Sequence, residues 1–289
     1  MSEDLETLYS PSHFSKRYRK DVVIAKHVEF IETHTKLVRD AIPHEVGIPY
    51  GPGLREKYDI YGTDLSDGSP ILIHIHGGFY QYESISQSNN GFISQNLYKN
   101  GIKTILLGYE LSPKRSVKEI LEHVQIGLRE CVKYARQHKS EAIFLSGHSA
   151  GGHVIATILS GFKKSISPED RNRIKGCFLL CGLYNIEPVV NISANQLLGL
   201  SVDTARKLSP LFDVVDYGET VVYVVGAEYD SPAFLEQSLK FYNKLQKDGT
   251  RSHLWIISMT DHFDILENLI DENFELTKLI VGAIQERRV

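Results

Sequence analysis

Cysteine is scarce in this chain of 289 residues, and several other features are missing altogether. The three cysteines, Cys131, Cys177 and Cys181, are an odd and sparse set, which predicts reduced thiols rather than a disulfide framework. No apolar stretch approaches the roughly 18 residues of a membrane-spanning helix, and the acidic start Met1–Asp4 shows no secretory signal. The net charge of −4 provides no basic field for nucleic acid. These absences predict a soluble, cytoplasmic protein without nucleic-acid or membrane partners.

Signatures of metal and cofactor chemistry are missing as well. The sequence holds no H-E-x-x-H, no P-loop and no G-x-G-x-x-G, and Cys177 and Cys181 have no second ligand pair at zinc spacing. We therefore expect no metal and no cofactor, and a small molecule as the partner, with a homodimer left open. What the chain does hold is 42% hydrophobic and 24% charged residues, which is typical of a globular protein with a sizeable core.

Short β-rich runs alternate with longer helical ones after residue 40, which predicts an α/β protein with a mostly parallel central sheet flanked by helices. Residues 1–40 form a polar N-terminal segment with an amphipathic helix near Val22–Val38. Residues 183–217 have no strong period and predict a small cap or lid within a single domain, 1–289. The predicted strands are His44–Tyr50 and Lys57–Tyr61 (an antiparallel hairpin at the sheet edge), Ile71–Ile75, Lys103–Gly108, Ala142–Leu145, Gly176–Leu180, Thr220–Val225 and His253–Ile257. The predicted helices after them are Val117–Gln137, Gly151–Leu159, Pro232–Lys247 and Ile265–Ile284.

A candidate nucleophile stands between a predicted strand and a predicted helix. Residues Gly147–Gly151 contain G-x-S-x-G directly after the apolar run Ala142–Ser146. In this context the turn is so sharp that the neighbours of the serine must be small, and it lifts the hydroxyl above the sheet. The positive end of the following helix faces any anion formed there. The pattern predicts Ser149 as the nucleophile of an α/β-hydrolase fold, and the alternative is a glycine-rich turn with an inert serine.

A glycine-rich segment follows the predicted strand Ile71–Ile75. In lipases and esterases an HGG segment at this strand end presents backbone N–H groups to the developing oxyanion. Glycine also lets the backbone approach the substrate without a Cβ in the way. We assign oxyanion donors to Gly77 and Gly78, with Phe79 as an alternative donor in the same segment, and to Ala150 after the nucleophile. His76 is then a structural residue that braces the loop, and the alternative for the segment alone is an ordinary glycine turn.

The acid and the base of such a hydrolase follow the serine in chain order. The loop after the predicted strand Thr220–Val225 carries Glu228 and Asp230, and we predict Asp230 as the acid that orients the imidazole. Glu228 is the rival, and either carboxylate could instead cap the helix that opens at Pro232. Among twelve histidines, His262 lies on the loop between the last strand and the final helix, so its position selects it as the base.

Several segments together resemble the kynurenine formamidase (arylformamidase) family, within the hormone-sensitive-lipase-like esterases. The segments are Leu8–Ser12, His76–Gln81, Tyr109–Pro113, Gly147–His153, Gly182–Pro188 and Glu228–Pro232. They run over most of the chain. Many esterases share the HGG segment and the G-x-S-x-G turn. The other segments are the ones that distinguish this family from other esterases. The chain departs from the family pattern at Phe79 and Tyr80, where members usually carry tyrosine and tryptophan. The resemblance implies that these two aromatics line the substrate pocket.

The resemblance implies hydrolysis of N-formyl-L-kynurenine to L-kynurenine and formate, in tryptophan degradation. The expected mechanism is a double displacement by a catalytic triad of Ser149, Asp230 and His262. A broad carboxylesterase acting on small acyl esters uses the same triad and stays the alternative, because sequence motifs do not rank leaving groups. A catalytically inactive hydrolase fold that acts as a binding protein is an alternative from a different class, and the intact triad argues against it.

Overall fold

The computed structural model describes residues 4–287. Residues 1–3, which begin the predicted N-terminal segment, and residues 288–289, which end the predicted domain, lie outside this range. The strands are β1 His44–Pro49, β2 Lys57–Tyr61, β3 Ile71–Ile75, β4 Lys103–Leu107, β5 Ile143–His148, β6 Ile174–Leu180, β7 Val221–Ala227 and β8 Ser252–Ile257. The helices are α1 Leu5–Leu8, α2 Val23–Ala41, α3 Ser94–Lys99, α4 Val117–Gln137, α5 Ala150–Lys164, α6 Pro168–Arg173, α7 Asn195–Leu198, α8 Val202–Lys207, α9 Pro232–Lys247, α10 Asp264–Glu267 and α11 Glu275–Glu286.

The strands form one sheet in the order β1-β2-β4-β3-β5-β6-β7-β8. At one edge β1 pairs antiparallel with β2, and β2 pairs antiparallel with β4, whereas the remaining neighbours are parallel. Strands β3, β4, β5 and β7 are buried along their whole length. Strands covered on both faces need apolar side chains on both faces, which explains their continuous apolar runs. The predicted fold, a mostly parallel sheet with a hairpin at its edge, is confirmed.

Two apolar clusters fill the space between the sheet and its helices. Along β3, Ile73 belongs to one cluster and Leu72 to the other, as expected for side chains that alternate between the faces of a sheet. The first cluster includes α4, α5 and α9, where Val154 is fully buried, and the second includes α2 and α11. Burying one such side chain contributes about 1.5–3 kcal/mol, so the two layers make a rigid frame for the loops at the sheet's carboxyl edge.

The C-terminal segment differs from the predicted single helix over Ile265–Ile284. It is divided into α10, a 3₁₀ turn at Asn268–Ile270, and α11. The side chain of Asp271 accepts a hydrogen bond from the backbone N–H of Asn273 at 2.8 Å. Such a local turn competes with the helical hydrogen-bond pattern. The single-helix prediction is therefore wrong, because the apolar spacing continues across a point where a short carboxylate captures the backbone.

The N-terminal segment contains two short turns, α1 and a 3₁₀ turn at Pro11–His13, before α2, which is the predicted amphipathic helix. We call residues 4–20 the N-terminal arm. The hydroxyl of Tyr9 accepts a hydrogen bond from Gln237 at 2.8 Å, and the carbonyl of Leu8 accepts one from the hydroxyl of Ser231. These contacts fix the arm against the start of α9, beside the loop that carries the candidate acid.

Residues 183–217 make an excursion between β6 and β7 that contains only short helical elements. The side-chain oxygen of Gln237 accepts hydrogen bonds from the backbone N–H groups of Tyr184 and Asn185, both at 2.8 Å, and so fixes the beginning of the excursion to α9. Within residues 4–287, no helix combines the length and the apolar character needed to cross a membrane.

Candidate active site

Ser149 occupies a sharp turn between β5 and α5. Its φ of 53° and ψ of −116° lie outside the regions that residues with a side chain favour. The backbone N–H of Ser149 donates to the carbonyl of Leu180 on β6 at 2.8 Å, which helps to hold the turn. Strain of this kind persists only where the surrounding structure over-determines it, and it concentrates at functional sites. The local geometry is that of a nucleophile elbow.

Two glycines make this turn sterically possible. A Cβ on Gly147 would lie 2.3 Å from the carbonyl oxygen of Gly151, and a Cβ on Gly151 would lie 2.0 Å from the carbonyl oxygen of Ile75. Both distances are far inside van der Waals contact, and the obstacles are backbone atoms that cannot rotate away. The glycines of the motif are therefore required by the close packing of α5 against β3 and β5.

The side chains of Asp230 and His262 are directly hydrogen-bonded. Nδ1–H of His262 donates to Oδ2 of Asp230 at 2.8 Å, and Oδ1 of Asp230 accepts from the backbone N–H of Ser231 at 2.7 Å. Both side chains are buried, with exposed fractions of 1% for Asp230 and 5% for His262. The rival carboxylate, Glu228, is exposed and accepts from the backbone N–H of Met259 at 2.7 Å. Asp230 is thus the carboxylate that the structure places on His262.

Ser149 and His262 line the same cavity, which has a volume of about 490 Å³. We call it the main cavity. Its walls come from the N-terminal arm, α2, the glycine-rich loop after β3, and residues 192–197 of the excursion between β6 and β7. Apolar side chains such as Leu197 and Leu266 line it together with a comparable number of polar ones. The volume and the mixed lining are typical of a site for a small molecule.

Tyr109 holds the backbone of the glycine-rich loop. Its hydroxyl lies 2.9 Å from the carbonyl oxygen of His76 and 3.1 Å from that of Gly77, and Nδ1–H of His76 also donates to the Gly77 carbonyl at 2.8 Å. In a trans peptide the C=O and the next N–H point in opposite directions. Drawing these two carbonyls toward Tyr109 therefore turns the N–H groups of Gly77 and Gly78 away from it. Burial lowers the pKa of His76 to about 3, so His76 is a neutral brace.

The candidate oxyanion donors lie next to the serine. The Cβ position of Gly77 is 3.2 Å from Cβ of Ser149, so the loop and the elbow are in contact. The loop then passes through three positive φ angles, 98° at Gly78, 50° at Phe79 and 64° at Tyr80. The N–H of Ala150, the first residue of α5, has no partner within the helix. Gly77, Gly78 and Ala150 therefore remain the candidate donors.

The two aromatic residues of the loop have different environments. Phe79 lines the main cavity, as the resemblance implied. The side chain of Tyr80 is buried beneath the loop, where its hydroxyl lies 2.5 Å from Nδ1 of His153, and it contacts only a separate apolar cavity of about 10 Å³. The expectation that Tyr80 lines the substrate pocket is therefore corrected. Its positive φ and its bond to His153 direct the ring into the core.

One group of side chains within residues 4–287 has the spacing of metal ligands. The ligand atoms of Cys181, Asp230 and His262 lie within 4.8 Å of one another. Burial, and then the neighbouring Asp230 carboxylate, raise the pKa of the Cys181 thiol well above its usual value. A protonated thiol is a poor metal ligand, because the thiolate is the binding form. The hydrogen bond between Asp230 and His262 suits the group to proton transfer.

Comparison with known proteins identifies the family. Residues 72–262 match the model of the alpha/beta hydrolase fold family. Kynurenine formamidase of Danio rerio is 33% identical, with 98% of this chain and 97% of that protein covered. Kynurenine formamidase of Salmo salar is 32% identical, with 96% and 95% covered. The chain belongs to the kynurenine formamidase family of α/β-hydrolases.

Solved structures of lower identity share the fold of this family member. A hyperthermophilic esterase from the archaeon Pyrobaculum calidifontis superimposes with a TM-score of 0.74 at 16% identity, over 92% of this chain and 93% of that one. A thermostable carboxylesterase from a metagenomic library gives a TM-score of 0.70 at 17% identity, over 91% and 96%. At such identities the likeness speaks for the fold alone.

His148 holds the loop of the candidate base in this member of the kynurenine formamidase family. Its Nε2–H donates to the carbonyl oxygen of His262 at 2.7 Å, and the two rings lie 4.8 Å apart. Burial, followed by the nearby His262 charge, keeps the pKa of His148 well below its usual value. His148 is therefore neutral, and its contact with His262 links the elbow to the base. The sequence places it beside the serine but carries no signal for this bond.

A mostly buried charge cluster contacts the same loop. Arg17 of the N-terminal arm contacts carboxylate oxygens of Asp261 at 3.3 Å, Asp264 at 3.0 Å and Glu267 at 2.7 Å. Burial, and then the charge of Asp261, raise the pKa of Asp264 to about 7. The cluster joins residues about 250 positions apart, and its carboxylates lie on both sides of the candidate base in the chain, Asp261 before His262 and Asp264 and Glu267 after it. Sequence reasoning missed it, because Arg17 stands in a short basic run that is typical of a solvated segment.

Proposed function

We propose that this chain hydrolyses N-formyl-L-kynurenine to L-kynurenine and formate, in tryptophan degradation. The observation that carries the proposal is the full-length likeness to kynurenine formamidases in a chain whose elbow serine shares a cavity with a buried Asp–His pair. Ser149 is the nucleophile, His262 the general base and acid, and Asp230 the residue that orients the imidazole. The backbone N–H groups of Gly77, Gly78 and Ala150 receive the oxyanion.

In the first half of the reaction, Nε2 of His262 takes the proton of the Ser149 hydroxyl while Oγ attacks the formyl carbon. The oxygen of the formyl group becomes an oxyanion and accepts hydrogen bonds from the backbone donors, an interaction worth about 2.7–4 kcal/mol for each well-placed donor. His262 then protonates the aromatic amine, the C–N bond breaks, and L-kynurenine leaves. Ser149 retains the formyl group as an ester.

In the second half, water replaces the amine. His262 takes a proton from the water, whose oxygen attacks the formyl ester, and the proton returns to Oγ of Ser149 as formate leaves. Asp230 keeps the imidazole in the tautomer with its proton on Nδ1 and stabilises the imidazolium that forms in each half. The hydrogen bond from Ser231 to the other carboxylate oxygen holds Asp230 in the orientation that this role needs.

Residues 183–217 are assigned the role of a cap on a single domain. Ile192, Ala194 and Leu197 of this segment line the main cavity together with Phe79 of the glycine-rich loop. These apolar side chains suit the aromatic ring of the leaving group.

The test is kcat/KM of the purified protein on N-formyl-L-kynurenine beside p-nitrophenyl acetate. A strong preference for the formyl amide, abolished in Ser149→Ala, is the expected result, with kcat of that variant at least ~10³ lower and the fold unchanged. Ester turnover with little deformylation would move the protein to the broader carboxylesterases with the same triad. Near-normal activity of Ser149→Ala would overturn the mechanism, and no labelling by a fluorophosphonate would favour an inactive binding protein.

The proposed compartment is the cytoplasm. The three cysteines are free and buried, which suits a reducing environment. Fractionation of cells that express the chain tests this assignment, with activity expected among the cytoplasmic proteins and activity confined to an organelle contradicting it.

A further inference from the structure

The main cavity is poor in charged side chains. Among the described residues that line it, Glu6 is the one carboxylate, and none is lysine or arginine. His27 also lines the cavity, but its Nδ1 is bonded to Glu267 at 2.8 Å and so belongs to the buried charge cluster. A ligand in this cavity therefore meets one acidic group that is not committed to a cationic partner.

The structure fixes the orientation of the Glu6 carboxylate. Oε2 accepts from the backbone N–H of Ser193 at 2.8 Å, and Oε1 accepts from the hydroxyl of Ser193 at 2.5 Å. Glu6 stands on α1, and Ser193 stands on the cap, so the pair joins the arm to the cap. Each carboxylate oxygen has two lone-pair directions. One direction on each oxygen is therefore left for a further donor, and Glu6 lines the cavity.

The segment around Glu6 is fixed to the body of the protein. Asp4 caps α1 by accepting from the backbone N–H of Thr7 at 2.8 Å, and Tyr9 is held by Gln237 at 2.8 Å. Glu6 therefore lies between two anchored points. A carboxylate held by two hydrogen bonds on an anchored segment loses little conformational entropy when it binds a cation, which favours recognition.

We propose that Glu6 binds the α-ammonium group of the substrate's amino-acid end. This inference rests on the proposed function, because N-formyl-L-kynurenine carries an ammonium group on the side chain ortho to its formamide. The ammonium donates to the free lone pairs of Glu6 in charge-assisted hydrogen bonds. Glu6 is thus a specificity-determining residue, and the enzyme distinguishes an amino-acid formamide from an aryl formamide that lacks the amino group.

A purely structural role for Glu6, as a latch between arm and cap, predicts a different result. A broken latch changes the cavity for every substrate, whereas a lost ammonium contact changes only substrates that carry the ammonium. The matched pair of substrates is N-formyl-L-kynurenine and its des-amino analogue, 4-(2-formamidophenyl)-4-oxobutanoate. The two differ only in the amino group, so the ratio of their kcat/KM values isolates the contact.

The experiment measures this ratio for the wild-type chain, Glu6→Gln and Glu6→Lys. Glutamine keeps the shape of the side chain and one acceptor for Ser193, but it removes the negative charge. Because Glu6 is accessible to solvent, we expect a ratio of at most about fivefold in favour of the amino-acid substrate in the wild type. The ratio should fall close to one in Glu6→Gln and lower still in Glu6→Lys. In both variants KM for the amino-acid substrate should rise while kcat stays the same, since the contact exists before and during the reaction.

Glu187→Gln is the control, because Glu187 also lies on the cap, pairs with Arg206 at 3.1 Å and does not line the main cavity. Its ratio should equal that of the wild type. Equal kcat/KM losses on both substrates in Glu6→Gln would overturn the inference in favour of the latch and leave the proposed function intact. A wild-type enzyme that hydrolyses p-nitrophenyl acetate but neither formamide would overturn both proposals.

Discussion

Replacing Asp230 with asparagine tests the proposed triad most directly, because the change preserves shape and removes only the charge and one acceptor. In the wild type, Oδ1 of Asp230 accepts from the N–H of Ser231 at 2.7 Å and Oδ2 accepts from Nδ1–H of His262 at 2.8 Å. An asparagine must keep its oxygen toward Ser231, since an NH₂ group there would face another donor. The NH₂ group of the variant therefore points at Nδ1 of His262.

The magnitude of the expected loss follows from the tautomer. An NH₂ donor at Nδ1 requires that nitrogen to be unprotonated, so the imidazole proton moves to Nε2. Nε2 is the atom that must take the proton of Ser149, and in this tautomer it cannot. The same change in a serine protease lowers kcat by about 10⁴, which corresponds to about 5.5 kcal/mol of transition-state stabilisation. We expect a loss of this order for Asp230→Asn.

The assay is kcat on N-formyl-L-kynurenine and on p-nitrophenyl acetate, since both reactions need the same proton transfer. Glu228→Gln is the matched control, because Glu228 lies on the same loop and is exposed, and its kcat should stay within about twofold of the wild type. Circular dichroism of each variant checks the fold. A kcat for Asp230→Asn within tenfold of the wild type would refute the orientation argument, and a large loss confined to Glu228→Gln would make Glu228 the acid.

Two further predictions follow from contacts near the site. Tyr109→Phe should lower kcat about tenfold with little change in KM, because the carbonyls of His76 and Gly77 lose the hydroxyl that orients the oxyanion donors. Equal effects on kcat and KM would contradict this role. The folded pKa of Asp264 is about 7, above the ordinary value of 3.8, so the wild type should lose stability as the pH rises from about 4 to about 7. An asparagine cannot titrate, so Asp264→Asn does not undergo this loss. The difference between the free energies of unfolding of Asp264→Asn and the wild type, measured with urea, should therefore rise from pH 5 to pH 9. An unchanged difference would mean that Asp264 does not titrate in this range.

The sequence by itself determined the sheet and the elbow. Continuous apolar runs such as Ile71–Ile75 are typical of strands covered on both faces. G-x-S-x-G between a strand and a helix is typical of the sharp turn found at Ser149. The order of the chain then pointed to Asp230 and His262, because parallel strands of a sheet bring their carboxyl ends to one edge. These features are encoded within short stretches of chain or in their order, so reading along the sequence recovers them.

Only the tertiary structure decided which side chains surround the cavity. Glu6 meets Ser193 across 187 positions and Arg17 meets Glu267 across 250, and nothing in either local sequence marks the partner. Tyr80 follows Phe79 directly, yet its ring turns into the core because His153 offers an acceptor there. Such contacts depend on how whole elements pack, and packing is the sum of many weak interactions between residues distant in the chain.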